Sequence, residues 1–166
     1  MTLDKIITKL QDLYKSPEAR ADTLGKVTYS ILVGTGLDYI QAGLRGMGIV
    51  TARASATVIN TVTGSPYARW REGWYALTKT NDESSSMRQA LVELGAFNTF
   101  ETYIYGLSAG IGSLISTGTL YAEKIADGMV GLLYLSPIIG PTMGLWLNAT
   151  CRIFNVKTVA ERTLLE

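Results

Sequence analysis

Four long apolar segments constrain the fold of this chain more than any other feature of its sequence. They cover residues 22–44, 47–68, 90–116 and 126–149. Each reaches the roughly 20 residues that an α-helix needs to cross the hydrocarbon core of a bilayer. Charged residues interrupt the first three segments. Hydropathy alone therefore leaves two interpretations, a membrane protein and a soluble helical bundle that carries these charges on its solvent-facing side.

The distribution of lysine and arginine between the segments favours the membrane interpretation. The N-terminal tail, the connection 69–89 and the C-terminal tail contain eleven of these residues: Lys5, Lys9, Lys15, Arg20, Arg69, Arg71, Lys79, Arg88, Arg152, Lys157 and Arg162. The other two connections contain only Arg45 and Lys124. This alternation follows the positive-inside rule for a multi-pass protein of the cytoplasmic (inner) membrane with both termini in the cytoplasm. A soluble bundle has no physical reason to alternate its basic loops.

Composition excludes several classes of function. A formal net charge of +1 on 166 residues provides no long-range attraction for nucleic acid. The chain has no histidine and only one cysteine, so the usual metal ligands and the common nucleophile–base pairs are missing. We therefore predict that the protein is not an enzyme and that it has no cofactor and no metal site.

The segments outside the apolar stretches complete the predicted layout. Residues 3–14 place apolar side chains at three- and four-residue spacing with charges between them. This pattern predicts an amphipathic helix within 1–17 that lies on the membrane surface or packs on the core. A four-span membrane domain is expected over 18–156, with a cytoplasmic linker at 69–89 and a cytoplasmic tail at 157–166.

A tight turn near Arg45 and Gly46 joins the first two spans. The predicted fold is thus an all-α membrane protein with four transmembrane helices in two antiparallel hairpins. Asp38 lies about seven residues before this turn and Arg53 about seven after it. At about 1.5 Å per residue, both lie about 10 Å below the outer end. We predict an Asp38–Arg53 ion pair within the membrane, which either serves transport or only fixes the register of the hairpin.

Two acidic residues of the third span are candidates for proton coupling. Glu93, Phe97 and Glu101 follow i, i+4, i+8 spacing and share one stripe of the helix. Glu101 is expected near the midplane, where an unpaired carboxylate tends to remain protonated. Glu93 is expected near the inner edge, within reach of water or Lys26. The alternative for Glu101 is a neutral, hydrogen-bonded structural acid. The alternative for Glu93 is a simple charge at the membrane interface.

Polar and small residues add two further expectations. Asn60 in the second span and Tyr105 in the third supply neutral groups of the kind that fix a small zwitterion. Gly140 and Gly144 form a GxxxG pair in the fourth span. Because lipid provides no hydrophobic drive between helices, small residues that allow close backbone approach become a main source of helix association. We predict that these glycines pack against another helix, within the bundle or between protomers of a homo-oligomer.

The order and spacing of short motifs resemble those of the bacterial L-alanine exporters, the AlaE family. The resemblance is carried by Ala21-Asp22-Thr23, Val27, Tyr29, Arg53, Asn60, Pro66-Tyr67, Arg71-Glu72, Glu93, Thr99-Phe100, Tyr105, Gly140-Pro141-Thr142-Met143-Gly144, Leu147, Arg152, Phe154 and Val156. It implies an oligomeric four-span protein that exports L-alanine and related small amino acids, driven by the proton motive force. Glu101 departs from the family pattern, which has an amide at this position.

The sequence thus supports two hypotheses of different classes. In the first, the protein is a secondary transporter that exports a small amino acid by proton antiport. Arg53 then holds the substrate carboxylate, directly or by exchange with Asp38, and Glu101 or Glu93 carries the proton. In the second, the protein is a non-catalytic membrane scaffold whose polar residues only join the helices. The predicted partners are the lipid bilayer, a small amino acid, protons and further copies of the chain.

Overall fold

The computed structural model of the protein describes residues 15–40 and 45–163, and the side chain of Asp38 is not among those it describes. Within these residues the chain is all-helical, which confirms the predicted α class. The helices are α1 (Pro17–Ile40), α2 (Met47–Leu77), α3 (Ser86–Thr117), α4 (Ala122–Ile153) and α5 (Val159–Arg162). The amphipathic helix predicted over residues 3–14 lies outside the described part.

Local sequence signals set the ends of these helices. The backbone N–H of Ala19 donates to the Ser16 hydroxyl at 3.1 Å. Pro17 occupies the first turn, where its missing N–H leaves no helical hydrogen bond unmade. α3 ends at Gly118, whose φ of 67° is left-handed and whose N–H donates to the carbonyl of Leu114 at 2.9 Å. Glycine adopts this conformation without steric strain, so it ends the helix at a defined residue.

α2 is longer than the second span predicted from the sequence. It continues to Leu77, so residues 69–77 of the predicted cytoplasmic linker are helical. This extension packs on other parts of the fold. Tyr75 is fully buried in a small apolar cluster with Val159 of α5. Burial of this ring stabilises helical turns that the polar sequence of 69–89 did not predict.

The helices form a ring in which each long helix packs on two others. α1 and α3 both contact α2 and α4, and α5 packs on α2. Later residues of α1 contact earlier residues of α2. Lys26 of α1 meets Thr63 of α2, whereas Ser30, one turn later, meets Arg53. α1 and α2 are therefore antiparallel, and α1 and α3 face each other across the centre of the ring.

Several charged side chains are buried inside this ring beside its apolar core, and many large apolar side chains are exposed on its outside. Asp22, Lys26, Arg71 and Glu93 are buried. Exposed apolar residues include Leu32, Ile40, Val58, Leu107, Tyr134, Ile138 and Leu145. The alternative of a soluble bundle with its charges on the solvent-facing side does not fit this arrangement, because ordinary soluble proteins bury apolar side chains and expose charges.

One helix of the described part is long and apolar enough to cross a membrane by composition alone. It covers Ile125–Ile153 within α4. The other three long helices contain charged side chains along their length, among them Lys26, Arg53 and Glu101. Each charge lowers the hydropathy of its helix, whether or not the side chain is paired inside the fold.

The closest approach of α1 and α2 depends on Gly64. A Cβ atom at Gly64 would lie 2.7 Å from the Cα of Thr23, which is a clash with backbone. We expect Gly64→Ala to force the two helices apart and to lower the free energy of unfolding by about 1–3 kcal/mol. A lower melting temperature of the detergent-solubilised protein checks this expectation.

Gly73 provides the matched control on the same helix. A Cβ atom at Gly73 would have no neighbour within 4 Å. Gly73→Ala should therefore stabilise the protein by up to about 1 kcal/mol, because alanine loses less backbone entropy in a helix. Equal effects of the two substitutions would contradict the proposed role of Gly64.

Candidate functional site

A cavity of about 470 Å³ lies between the four long helices. Each helix contributes one charged residue to its described lining: Lys26 from α1, Arg53 from α2, Glu101 from α3 and Asp127 from α4. Asn60 and Tyr105 also line it. The structure thus brings four of the sequence-predicted site residues together: Arg53, Asn60, Tyr105 and Glu101. Two cations and two anions make the lining balanced in charge, while most of the remaining wall is apolar.

Glu101 forms an ion pair in the structure. Its Oε1 lies 2.7 Å from the Nζ of Lys26. Lys26 is only 2% exposed and also donates to the hydroxyl of Thr63 at 2.7 Å. Its ammonium lies 5.0 Å from the ring centroid of Tyr67 and 5.2 Å from that of Phe100. Both distances are typical of cation–π contacts. The charge of Lys26 is therefore compensated from several sides at the centre of the bundle.

Arg53 is held at the cavity wall by α1. Its Nη1 donates to the carbonyl of Ser30 at 2.8 Å and contacts the Ser30 hydroxyl at 3.3 Å. A Cβ atom at Gly34 would overlap the same Nη1, so the absence of a side chain at Gly34 makes room for the guanidinium. The predicted partner, Asp38, has its side chain outside the described part of the structure. The Asp38–Arg53 ion pair therefore stays a prediction.

Glu93 lies outside the cavity lining, in a buried cluster with Arg71. The Nε of Arg71 donates to Oε2 of Glu93 at 2.8 Å, and its Nη2 binds Oε1. The hydroxyl of Tyr75 donates to the same Oε1 at 2.9 Å. Asn148 accepts from Arg71 at 3.2 Å, and Asp22 lies 3.9 Å from it. The partner of Glu93 is thus Arg71 and not Lys26, the contact considered from the sequence.

The cluster extends to α5 through Asp22. Arg162 contacts Asp22 and Glu72, each at 2.7 Å. α5 itself begins with a capping box in which the Thr158 N–H donates to the carboxylate of Glu161 at 2.7 Å. This hydrogen bond lowers the pKa of the Glu161 carboxyl. The charges of the cluster therefore connect α1, α2, α3, α4 and α5 at the end of the bundle opposite the α1–α2 connection.

The two glycines of the GxxxG pair lie on the contact between α4 and α3 of the same chain. A Cβ atom at Gly140 would lie 3.1 Å from the Cα of Leu94. A Cβ atom at Gly144 would overlap the side chain of Glu93. Gly144 therefore leaves space for the carboxylate that binds Arg71. This face of α4 is occupied within the bundle.

Sequence reasoning missed Lys26 and Arg71 as partners of the two glutamates. The sequence suggests Lys26 only as a contact of Glu93 and not of Glu101, although a lysine inside an apolar segment is itself a signal that a buried anion is near. Arg71 gives no such signal in the sequence, because it is one of the basic residues of the connection 69–89. Asp127, at the start of the fourth apolar segment, was also not singled out from the sequence.

A sequence model of a family described as L-alanine exporter, AlaE, matches residues 13–157. The chain belongs to this family. It is 26% identical over 136 residues to the L-alanine exporter AlaE of Cereibacter sphaeroides, an alignment that covers 82% of this chain and 94% of the relative. It is 22% identical over 138 residues to the protein of the same name from Pectobacterium parmentieri, with coverages of 83% and 91%. No solved structure matches the chain at a significant level.

Residues of the AlaE motifs that are far apart in sequence lie close together in this structure. Asp22, Arg71-Glu72 and Glu93 belong to three motifs that are distant from one another in sequence and meet in the buried cluster. Arg53, Asn60 and Tyr105 are motif residues that line the cavity. The motifs of this AlaE-family chain thus divide into a cluster that joins helices and a set that faces an internal space.

Proposed function

We propose that this chain is a secondary transporter that exports L-alanine or a related small amino acid across the inner membrane in exchange for protons. The observation that carries the proposal is the cavity, in which two cationic and two anionic side chains face a space between four helices. An amino acid is a zwitterion without net charge. Its ammonium and carboxylate find partners of opposite charge in such a cavity, which offsets the loss of their hydration.

The proposed membrane topology has four spans, formed by α1 to α4 as two antiparallel hairpins, with both termini in the cytoplasm. Support comes from the basic residues of the alternate connections and from the apolar outer surface. Buried charges that pair with one another inside the ring are typical of membrane bundles. In this topology the helix expected within residues 1–17 lies at the cytoplasmic interface.

The role proposed for each residue depends on whether its side chain lines the cavity. Arg53 is proposed to hold the substrate carboxylate, and Asn60 and Tyr105 to shape the pocket. Glu101 is proposed as the proton carrier because it faces the cavity. Glu93 is the weaker candidate, since two Arg71 contacts and the Tyr75 hydroxyl already satisfy its carboxylate.

Transport by the purified protein tests the proposal. We expect proteoliposomes with an inward-directed proton gradient to release preloaded labelled L-alanine faster than protein-free vesicles. An uncoupler that collapses the gradient should reduce the rate, because proton entry supplies the driving force. The measured quantity is the initial rate of release per amount of incorporated protein.

The same assay separates transport from the scaffold alternative. A scaffold would give the protein-free rate with and without the gradient, although the protein is folded and incorporated. Homo-oligomer formation is a separate part of the proposal, and cross-linking in native membranes tests it. Any contact between protomers should involve a face of the bundle other than the Gly140–Gly144 face.

A further inference from the structure

The Lys26–Glu101 ion pair spans the centre of the bundle. Lys26 belongs to α1 and Glu101 to α3, the two helices that face each other across the ring. Both residues line the cavity, and the side chain of Glu101 keeps 14% exposure while Lys26 is almost fully enclosed. The pair lies about one helical turn, or about 6 Å, from the level of Ser30, where Arg53 is held. It forms the floor of the cavity on the side of the Arg71–Glu93 cluster.

The Lys26 ammonium has further contacts besides Glu101. The Thr63 hydroxyl accepts a hydrogen bond from the ammonium, and the rings of Tyr67 and Phe100 offer their negative faces to it. An anion that replaced Glu101 on Lys26 would find this cage already formed. The freed carboxylate of Glu101 would then require a cation on its cavity side.

We propose that Lys26 and Glu101 form a second, deeper site for the amino acid, and that their ion pair opens to admit it. The substrate carboxylate binds Lys26 and the substrate ammonium binds Glu101. One ion pair is thereby exchanged for two, and no net charge is added to the interior. This inference rests on the proposed transport function and adds a residue, Lys26, to the substrate site.

The same geometry supplies a reason for exchange with protons. A protonated Glu101 has no charge with which to bind the substrate ammonium, so a proton and the amino acid exclude each other at this residue. The other charged groups of the described lining that act on this equilibrium are Lys26 of α1, Arg53 of α2 and Asp127 of α4. Mutual exclusion of two ligands at one site is what antiport requires.

Binding of whole and truncated ligands to the full-length protein in lipid nanodiscs tests the proposal. L-Alanine carries both charged groups, L-alaninamide lacks the carboxylate, and L-lactate lacks the ammonium. We expect the wild-type protein to bind L-alanine more tightly than either analogue in isothermal titration. Glu101→Gln should weaken L-alanine binding about tenfold to a hundredfold without weakening lactate binding, because lactate then no longer has to displace the Glu101 carboxylate from Lys26. Lys26→Met should weaken L-alanine binding similarly without weakening binding of L-alaninamide.

The double variant Lys26→Met/Glu101→Gln separates binding from a purely structural role. It removes both charges of the pair and so leaves neither partner unpaired, and it should melt within a few degrees of the wild type while losing L-alanine affinity. Lys157→Met and Glu83→Gln make the same replacements at exposed positions outside the cavity and should retain wild-type affinity. Retention of L-alanine affinity by the folded double variant would overturn the inference and leave the pair as a link between α1 and α3.

The outcomes also distinguish this inference from the proposed function. If the wild-type protein releases L-alanine from proteoliposomes and the Lys26 and Glu101 variants keep its ligand preferences, only the deeper site is refuted. If the wild-type protein neither binds nor releases L-alanine, the proposed function fails and the deeper site fails with it.

Discussion

Arg71→Met is expected to remove most of the folded protein from the membrane. The guanidinium is completely buried and contacts the side chains of Glu93, Asn148 and Asp22. Its loss leaves the Glu93 carboxylate without a cation in the interior. Breaking a buried ion pair in this way costs about 3–5 kcal/mol. That is a large part of the about 5–15 kcal/mol that stabilises a typical domain. The yield of monodisperse protein and its melting temperature in detergent measure the effect.

Two further variants make this prediction specific. Arg69→Met removes an exposed arginine from the same helix and should melt like the wild type. The double variant Arg71→Met/Glu93→Gln removes both charges of the pair and should recover part of the lost stability, because a neutral interior group is less costly than an unpaired charge. A single Arg71→Met variant that melts within a few degrees of the wild type would show that the cluster does not hold the helices together.

Arg53→Gln is expected to abolish most L-alanine export while the amount of folded protein stays unchanged. Arg53 lines the cavity and is oriented by the carbonyl of Ser30. A hydrogen bond between charged groups contributes about 1.5–3 kcal/mol, so we expect a loss of roughly tenfold to a hundredfold in the rate at low substrate concentration. Arg53→Lys should retain an intermediate rate, because lysine keeps the charge and lacks the planar fork that binds a carboxylate at two points. The proteoliposome release assay measures both rates.

Arg45→Gln is the matched control for Arg53→Gln. The Arg45 guanidinium is exposed at the α1–α2 connection, where it stacks 3.8 Å from the ring centroid of Tyr39 and donates to the Tyr39 carbonyl. It is not part of the described cavity lining, and its replacement should leave export unchanged. Export by Arg53→Gln at the wild-type rate would refute the proposed carboxylate contact, even if the protein exports L-alanine.

The positions of the helices could be predicted because their signals are local. Apolar segments of sufficient length are visible in a single sequence, and so are Ser16-Pro17 at the start of α1 and Gly118 at the end of α3. The continuation of α2 through residues 69–77 was not predicted, because the charged residues Arg69, Arg71 and Glu72 follow the apolar segment there. Their helix is stabilised by the burial of Tyr75 against α5, which is more than 80 residues away in the chain.

The sequence by itself determined the α class, the approximate helices, the family resemblance and several polar residues that face the cavity. These follow from hydropathy, residue spacing and the strong requirement that ionisable groups in apolar helices point inward. Only the tertiary structure decided which charges meet. Lys26 with Glu101 and Arg71 with Glu93 are pairs between different helices. The rotation and depth of each helix determine such a pair, and both are set by packing at close contacts such as Gly64 and Gly144 rather than by any local pattern.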